Sequence, residues 1–246
     1  MLIPRARRLA TLIGVSIVFA GLCLGCTVEQ ELFVRSDGTG SGKATVTIDP
    51  AVSRYIDAIF QAVGGAAGDQ ADPLPLFDTE RIAEELRATP GIEPVSVEIV
   101  DRNTLSVSYK ITDFSAALDG ALTFEASAGS TRKLSLSLDR SSFTRVSRLF
   151  IDEESPAAAF IPVRQSDFLN ADDYRELAHY ALEEFATDRS VDQILDGSTV
   201  SIAVRTDGTI RAVSGGELAG AKALYTLRLL DLVTLEDPIH LTLSWR

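Results

Sequence analysis

The sequence predicts an α+β fold, a strongly curved or barrel-like antiparallel sheet with amphipathic helices packed on its apolar face. Two observations predict it. Short segments from Val28 to Trp245 alternate apolar and polar residues at the period of a strand, and three stretches between them repeat apolar residues at helical spacing. The polar members of the alternating segments are mostly Ser, Thr, Glu and Lys, so one sheet face meets water. That excludes an all-parallel sheet covered on both sides.

The chain opens on a segment of another kind. Arg5, Arg7 and Arg8 precede an uncharged run from Leu9 to Leu24, and Gly25-Cys26 closes it. A basic start, a short apolar run and a small residue before a cut are the parts of an export signal. The run is shorter than the roughly 20 residues that a membrane-crossing helix takes, which predicts cleavage rather than a retained anchor. Leu22-Cys23-Leu24-Gly25-Cys26 also resembles the bacterial lipobox, and the resemblance implies that Cys26 is acylated on its sulfur and becomes the new N-terminus. Residues 1–25 are then a lipoprotein signal peptide and 26–246 a single α+β ectodomain. The only two cysteines, Cys23 and Cys26, lie in this segment, so the body has no disulfide and no catalytic thiol. Its core alone must hold it, which about 220 residues can do.

Pattern begins directly after Cys26. Val28, Gln30, Leu32 and Val34 alternate with Glu29, Glu31, Phe33 and Arg35, Asp37-Gly38-Thr39-Gly40 makes a turn, and Ala44, Val46 and Ile48 resume, which predicts a hairpin with no spacer before it. A body without a spacer sits against the bilayer. Asp49 then caps a helix with Pro50 at its first position; Val52, Tyr55, Ile56, Ile59, Phe60 and Val63 share one face, and Gly64-Gly65 ends it. Residues 64–77 form an irregular loop that closes on the apolar Leu74, Leu76 and Phe77. A second helix runs from Thr79 to Ala88, capped by Asp78 and stopped by Pro90-Gly91. Four strands follow, around Val95 to Ile99, Leu105 to Ile111, Leu122 to Ala126 and Leu134 to Leu138. Phe143 to Phe150 reads as a short helix, and residues 151–165 as a second irregular loop carrying Phe160, Ile161 and Val163. The clearest helix spans Ala171 to Ala186, with Asn170 or Asp167 as cap. Val200, Ile202 and Val204 lead into Asp207-Gly208, and Ile239, Leu241, Leu243 and Trp245 form the last strand. Val34-Arg-Ser-Asp-Gly-Thr39 and Val204-Arg-Thr-Asp-Gly-Thr209 are nearly the same word, as a duplicated hairpin or two independent Asp-Gly turns would give.

Charge narrows the partners. The signal holds three arginines and no acid, leaving 20 basic residues against 35 acidic ones, a net charge of about −15. Nucleic acid needs a basic patch, so it is excluded as a partner, and an anionic membrane surface repels such a body. Attachment must come through the N-terminal lipid or apolar contact. The two histidines, His179 and His240, have no second histidine or cysteine at ligand spacing, and the Asp-Gly turns lack the run of oxygens a calcium loop needs, so no metal and no cofactor is expected. No Gly-x-Ser-x-Gly elbow occurs, and no catalytic residue can be named.

Ser36-Asp-Gly-Thr-Gly-Ser-Gly42 near the start and Val200 to Val213 with its Asp-Gly turn resemble the LppM-like envelope lipoproteins of actinobacteria and other bacteria. That resemblance implies an α+β body with a barrel-like sheet, a cell-envelope location and lipid or glycolipid contact. The expected function is therefore that of a non-catalytic lipoprotein on the extracytoplasmic face of the inner or outer membrane, binding envelope lipid or an assembly partner. The alternatives are a carboxylate-dependent envelope hydrolase and a scaffold with no small ligand. Leu74, Leu76, Phe77, Phe160, Ile161 and Val163 are the candidates for the mouth of a groove that accepts an acyl chain or apolar peptide; the competing reading has them cap the core.

Overall fold

The computed structural model describes residues 25–63, 76–114, 116, 122–126, 131–147 and 160–246. Strands β1 (Cys26–Val34) and β2 (Gly40–Ile48) form the expected hairpin, and helix α1 (Pro50–Val63) follows, with Asp49 Oδ1 accepting the Ala51 N–H at 2.8 Å. Helix α2 (Thr79–Ala88) is capped by Asp78, whose side chain accepts from the Arg81 N–H. Then come β3 (Ile92–Asp101), β4 (Thr104–Ile111), β5 (Leu122–Ala126), β6 (Arg132–Leu138), helices α3 (Arg140–Ser147), α4 (Ala171–Leu182) and α5 (Val191–Gly197), strands β7 (Thr199–Thr206), β8 (Ile210–Ser214), β9 (Glu217–Ala219) and β10 (Lys222–Arg228), helix α6 (Leu229–Thr234) and β11 (Ile239–Trp245).

The α+β class holds, but the single curved or barrel-like antiparallel sheet does not. The strands make two open sheets, a seven-stranded one in the order β3-β4-β2-β1-β7-β10-β9 and a four-stranded one in the order β5-β6-β11-β8. The larger sheet is mixed. Helices α4 and α5 return the chain to the end at which β1 starts, so β7 runs beside β1 in the same direction, pairing Val28 with Val200 and Val34 with Thr206. The chain changes sheets between β8 and β9, at Gly215-Gly216. Gly215 has a φ of +77°, and a Cβ on Gly216 would lie 2.4 Å from the Leu224 carbonyl oxygen and 2.5 Å from the Tyr225 ring, so only glycine passes this corner. The sheets meet there by a bend, not by a hydrogen-bonded ladder, and no barrel closes.

One face of the larger sheet is polar, with Glu29, Glu31, Lys43, Ser106, Ser108 and Arg205 in intermediate or exposed positions. The other carries Val28, Leu32, Val46, Val107, Val200 and Ile202, all buried in one apolar cluster. That cluster also takes in Leu134, Leu136 and Leu243 of the smaller sheet and Leu182, Leu195 and Leu232 of the helices. Burial of this kind stabilises by about 25 cal/mol per Å² of apolar area.

The repeated words are not a repeated hairpin. After Thr39 the chain turns back as β2 against β1, whereas after Thr209 it leaves as β8 to pair with β11 in the other sheet. The register of β1 and β7 sets the two words side by side, two residues out of step.

Candidate functional site

Three places hold the residues that the sequence singles out. The first is the end of the molecule at which β1 begins. Cys26 is the first residue of β1, paired with Ile48, and its position in the alternation turns its side chain to the inner face, where it is wholly buried. The candidate acylation site is therefore itself the first residue of a strand. The Gly25 carbonyl accepts the Asp49 N–H at 2.9 Å, and Arg189 pairs with the nearly buried Asp49 carboxylate. A cut before Cys26 removes that carbonyl, and a lipid on the sulfur has no room inside, so acylation requires the Cys26–Ile48 rung to open.

The second place is the pair of apolar loops. Phe77, Ile161 and Val163 belong to the buried core, and Leu76 and Phe160 are half-buried against it; Leu74 lies outside the described residues. Tyr55 of α1 meets the Phe160 ring edge-on at 5.7 Å, and Tyr174 of α4 donates to the Phe160 carbonyl at 3.2 Å. Ser147 donates to the Pro162 carbonyl at 2.7 Å. These contacts fasten the second loop to the helices, and the apolar cavity described next is lined by other residues.

That cavity is the third place, and sequence reasoning missed it. A cavity of about 30 Å³ lies between the two sheets, lined by Leu32, Ile202, Val204 and Tyr225 on one side and Leu122, Leu134, Leu136, Leu241 and Leu243 on the other. No carboxylate reaches it. Three hydrogen bonds tie the sheets together around it: Tyr225 Oη to the Thr242 carbonyl at 2.9 Å, Arg132 Nε to the Ser36 carbonyl at 2.7 Å, and Trp245 Nε1 to Asp207 Oδ1 at 3.3 Å. Burial pushes the Tyr225 phenol up to about 12, so it stays a neutral donor. The alternation of each strand is visible in the sequence, but which faces oppose one another depends on pairing that a single chain does not reveal. Deeper in the sheet Gln30, almost fully buried, donates its amide to Tyr109 Oη.

The carboxylates with shifted titration have structural partners. Partial desolvation raises the Asp207 carboxyl, but the Ser36 N–H and Oγ–H and the Trp245 indole outweigh it and hold it below its ordinary value. Asp37 is held low by Thr39, and Asp139 by the Ser142 N–H at the start of α3. All three shifts are downward and come from hydrogen-bond donors, the opposite of what a general acid needs. His179 contacts Asp192 at 3.2 Å beside Arg175, which bridges Asp192 and Asp196, and His240 contacts Ser137 at 3.1 Å. Among the described residues no group of three or more His, Cys, Asp or Glu is placed to hold a metal ion. No helix among them is long and apolar enough to cross a membrane.

No protein-family model matches the chain, and no curated protein does. Among solved structures, the NMR structure of the folded domain of LppM from Mycobacterium tuberculosis matches 90% of this chain and 90% of its own at 11% identity, with a TM-score of 0.38. That likeness is too loose to carry function from one chain to the other.

Proposed function

We propose that the chain is a non-catalytic, membrane-anchored lipoprotein of the cell envelope, held by an acylated Cys26 on the extracytoplasmic side, whose body binds the acyl part of an envelope lipid between its two sheets. The apolar lining of the intersheet cavity carries this reading: eight aliphatic side chains and one tyrosine, with no acid to run hydrolysis. At about 30 Å³ the cavity has room for a water-sized group only, so an acyl chain enters as the sheets part. The seam is the natural place to part, because among the described residues side-chain hydrogen bonds such as these, not a strand ladder, cross it.

The test is native mass spectrometry of the full chain purified from a bacterial host in mild detergent. We expect a lipid mass beyond the N-terminal modification that extracts into organic solvent, and a several-fold loss of it in Ile202→Phe, whose ring fills the cavity. Equal retention in the variant refutes the site. A clean mass, repeated after incubation with envelope lipids, refutes lipid binding and leaves an assembly partner as the ligand.

A further inference from the structure

The end of the body that carries Cys26 has features that the intersheet cavity does not use. The register aligns Val28 with Val46, Val46 with Leu105 and Leu105 with Ile99, so Ile99 and Val100 of edge strand β3 lie at the level of the first residues of β1. Two strands stand between them, and the three spacings make roughly 15 Å. Ile99 is 46% exposed and Val100 63%. Helix α1 leaves from the same end, with Ile59 partly exposed and Ile56 packed against the core. The turn between β3 and β4 is fastened to it by Arg102, which bonds Asp57 at 2.5 Å. Around this end stand Arg54, Arg102 and Arg189, each with 41% to 52% of its side chain exposed and each paired with an aspartate, Asp188, Asp57 and Asp49 in turn.

From these observations we propose that this end is a bilayer seat. Ile59, Ile99 and Val100 enter the boundary between acyl chains and headgroups, and the half-exposed arginines, with their aspartate partners, lie at the level of the lipid phosphates. The proposal rests on acylation of Cys26, which brings this end, and no other, to the membrane. Opening of the Cys26–Ile48 rung lets the lipid leave along the strand axis into the same layer. A partner strand added to the β3 edge is the competing occupant. Pro94 has no N–H to give it, and bulges at Pro94/Ser96 and Ile99/Asp101 interrupt the ladder, both features that blunt an edge.

The test uses the full chain, lipidated in a bacterial host and reconstituted into phosphatidylcholine vesicles. Acylation consumes the Cys26 thiol, so a nitroxide on Val100→Cys labels one site, and Ile59→Cys gives a second independent site. Leu218→Cys, level with Leu32 and so four residues further along the strand axis than Ile99, on the far edge of the sheet, is the reference. We expect the labels at 100 and 59 to be reached by oxygen and shielded from a water-soluble nickel chelate, with the order reversed at 218. Protein that floats with the vesicles while both test labels remain open to nickel refutes the seat and leaves the anchor intact. Labels at 100 shielded from both reagents refute it in favour of a second copy on the β3 edge. Protein that does not float refutes the lipoprotein reading itself.

Discussion

Asp207 concentrates the part of the structure that the sequence hides best. Its turn is legible in the word Thr-Asp-Gly-Thr, but its three donors, Ser36 N–H, Ser36 Oγ–H and Trp245 Nε1–H, come from residues 171 and 38 positions away. Asp207→Ala removes hydrogen bonds to an exposed carboxylate and should cost about 1–2 kcal/mol in urea unfolding at pH 7. Because the folded carboxyl lies below its ordinary 3.8, its contribution is present above that value and is lost as pH falls through the lower folded value; the difference between the two proteins should shrink there. Tyr225 works in the opposite direction. Its folded phenol titrates near 12 against 10 when unfolded, so its contribution is full below pH 10 and fades as pH rises towards 12. Ultraviolet titration of wild type against Tyr225→Phe should locate the resistant phenol. Gly42 lies under the Tyr109 ring, where a Cβ would come within 2.3 Å of it, so Gly42→Ala should destabilise by about 1–3 kcal/mol, measured as a lowered Tm.

At the scale of elements, local chemistry that competes with nothing was readable. The bounds of α2 and the caps of α1, α2 and α4 follow from Asp49, Asp78 and Asn170 as the sequence implies. Other boundaries moved for identifiable reasons. Helix α3 starts at Arg140 instead of Phe143 because Asp139 and Ser142 cap each other's N–H groups, a signal present in the sequence and overlooked. Helix α4 stops at Leu182 instead of Ala186, where Glu183 and Glu184 would oppose the negative end of its dipole. Helix α5 was missed although Ser190 and Gln193 form a capping box; Ser190→Ala should cost about 1 kcal/mol in the same unfolding assay. The run Leu229-Leu230-Asp231-Leu232-Val233 in α6 is too short and too apolar for periodicity to decide between strand and helix.

For the whole molecule, the class and the polar outer face were legible because alternation alone encodes them. The division into two sheets was not, since it depends on β7 running parallel to β1 and on the corner at Gly215-Gly216. The candidate site divided in the same way. The loops were visible as exceptions to polarity and pack into or against the core at the five positions described, while the cavity arises only once two sheets face each other. Everything functional in this account hangs on Cys26, and the most direct measurement is the mass of the tryptic peptide that ends at Arg35, taken from membranes of a bacterial host. A peptide that begins at Cys26 and carries acyl mass on it is the predicted result. A peptide that begins upstream of Cys26, or begins there unmodified, contradicts the anchor and with it the orientation of the molecule at the membrane.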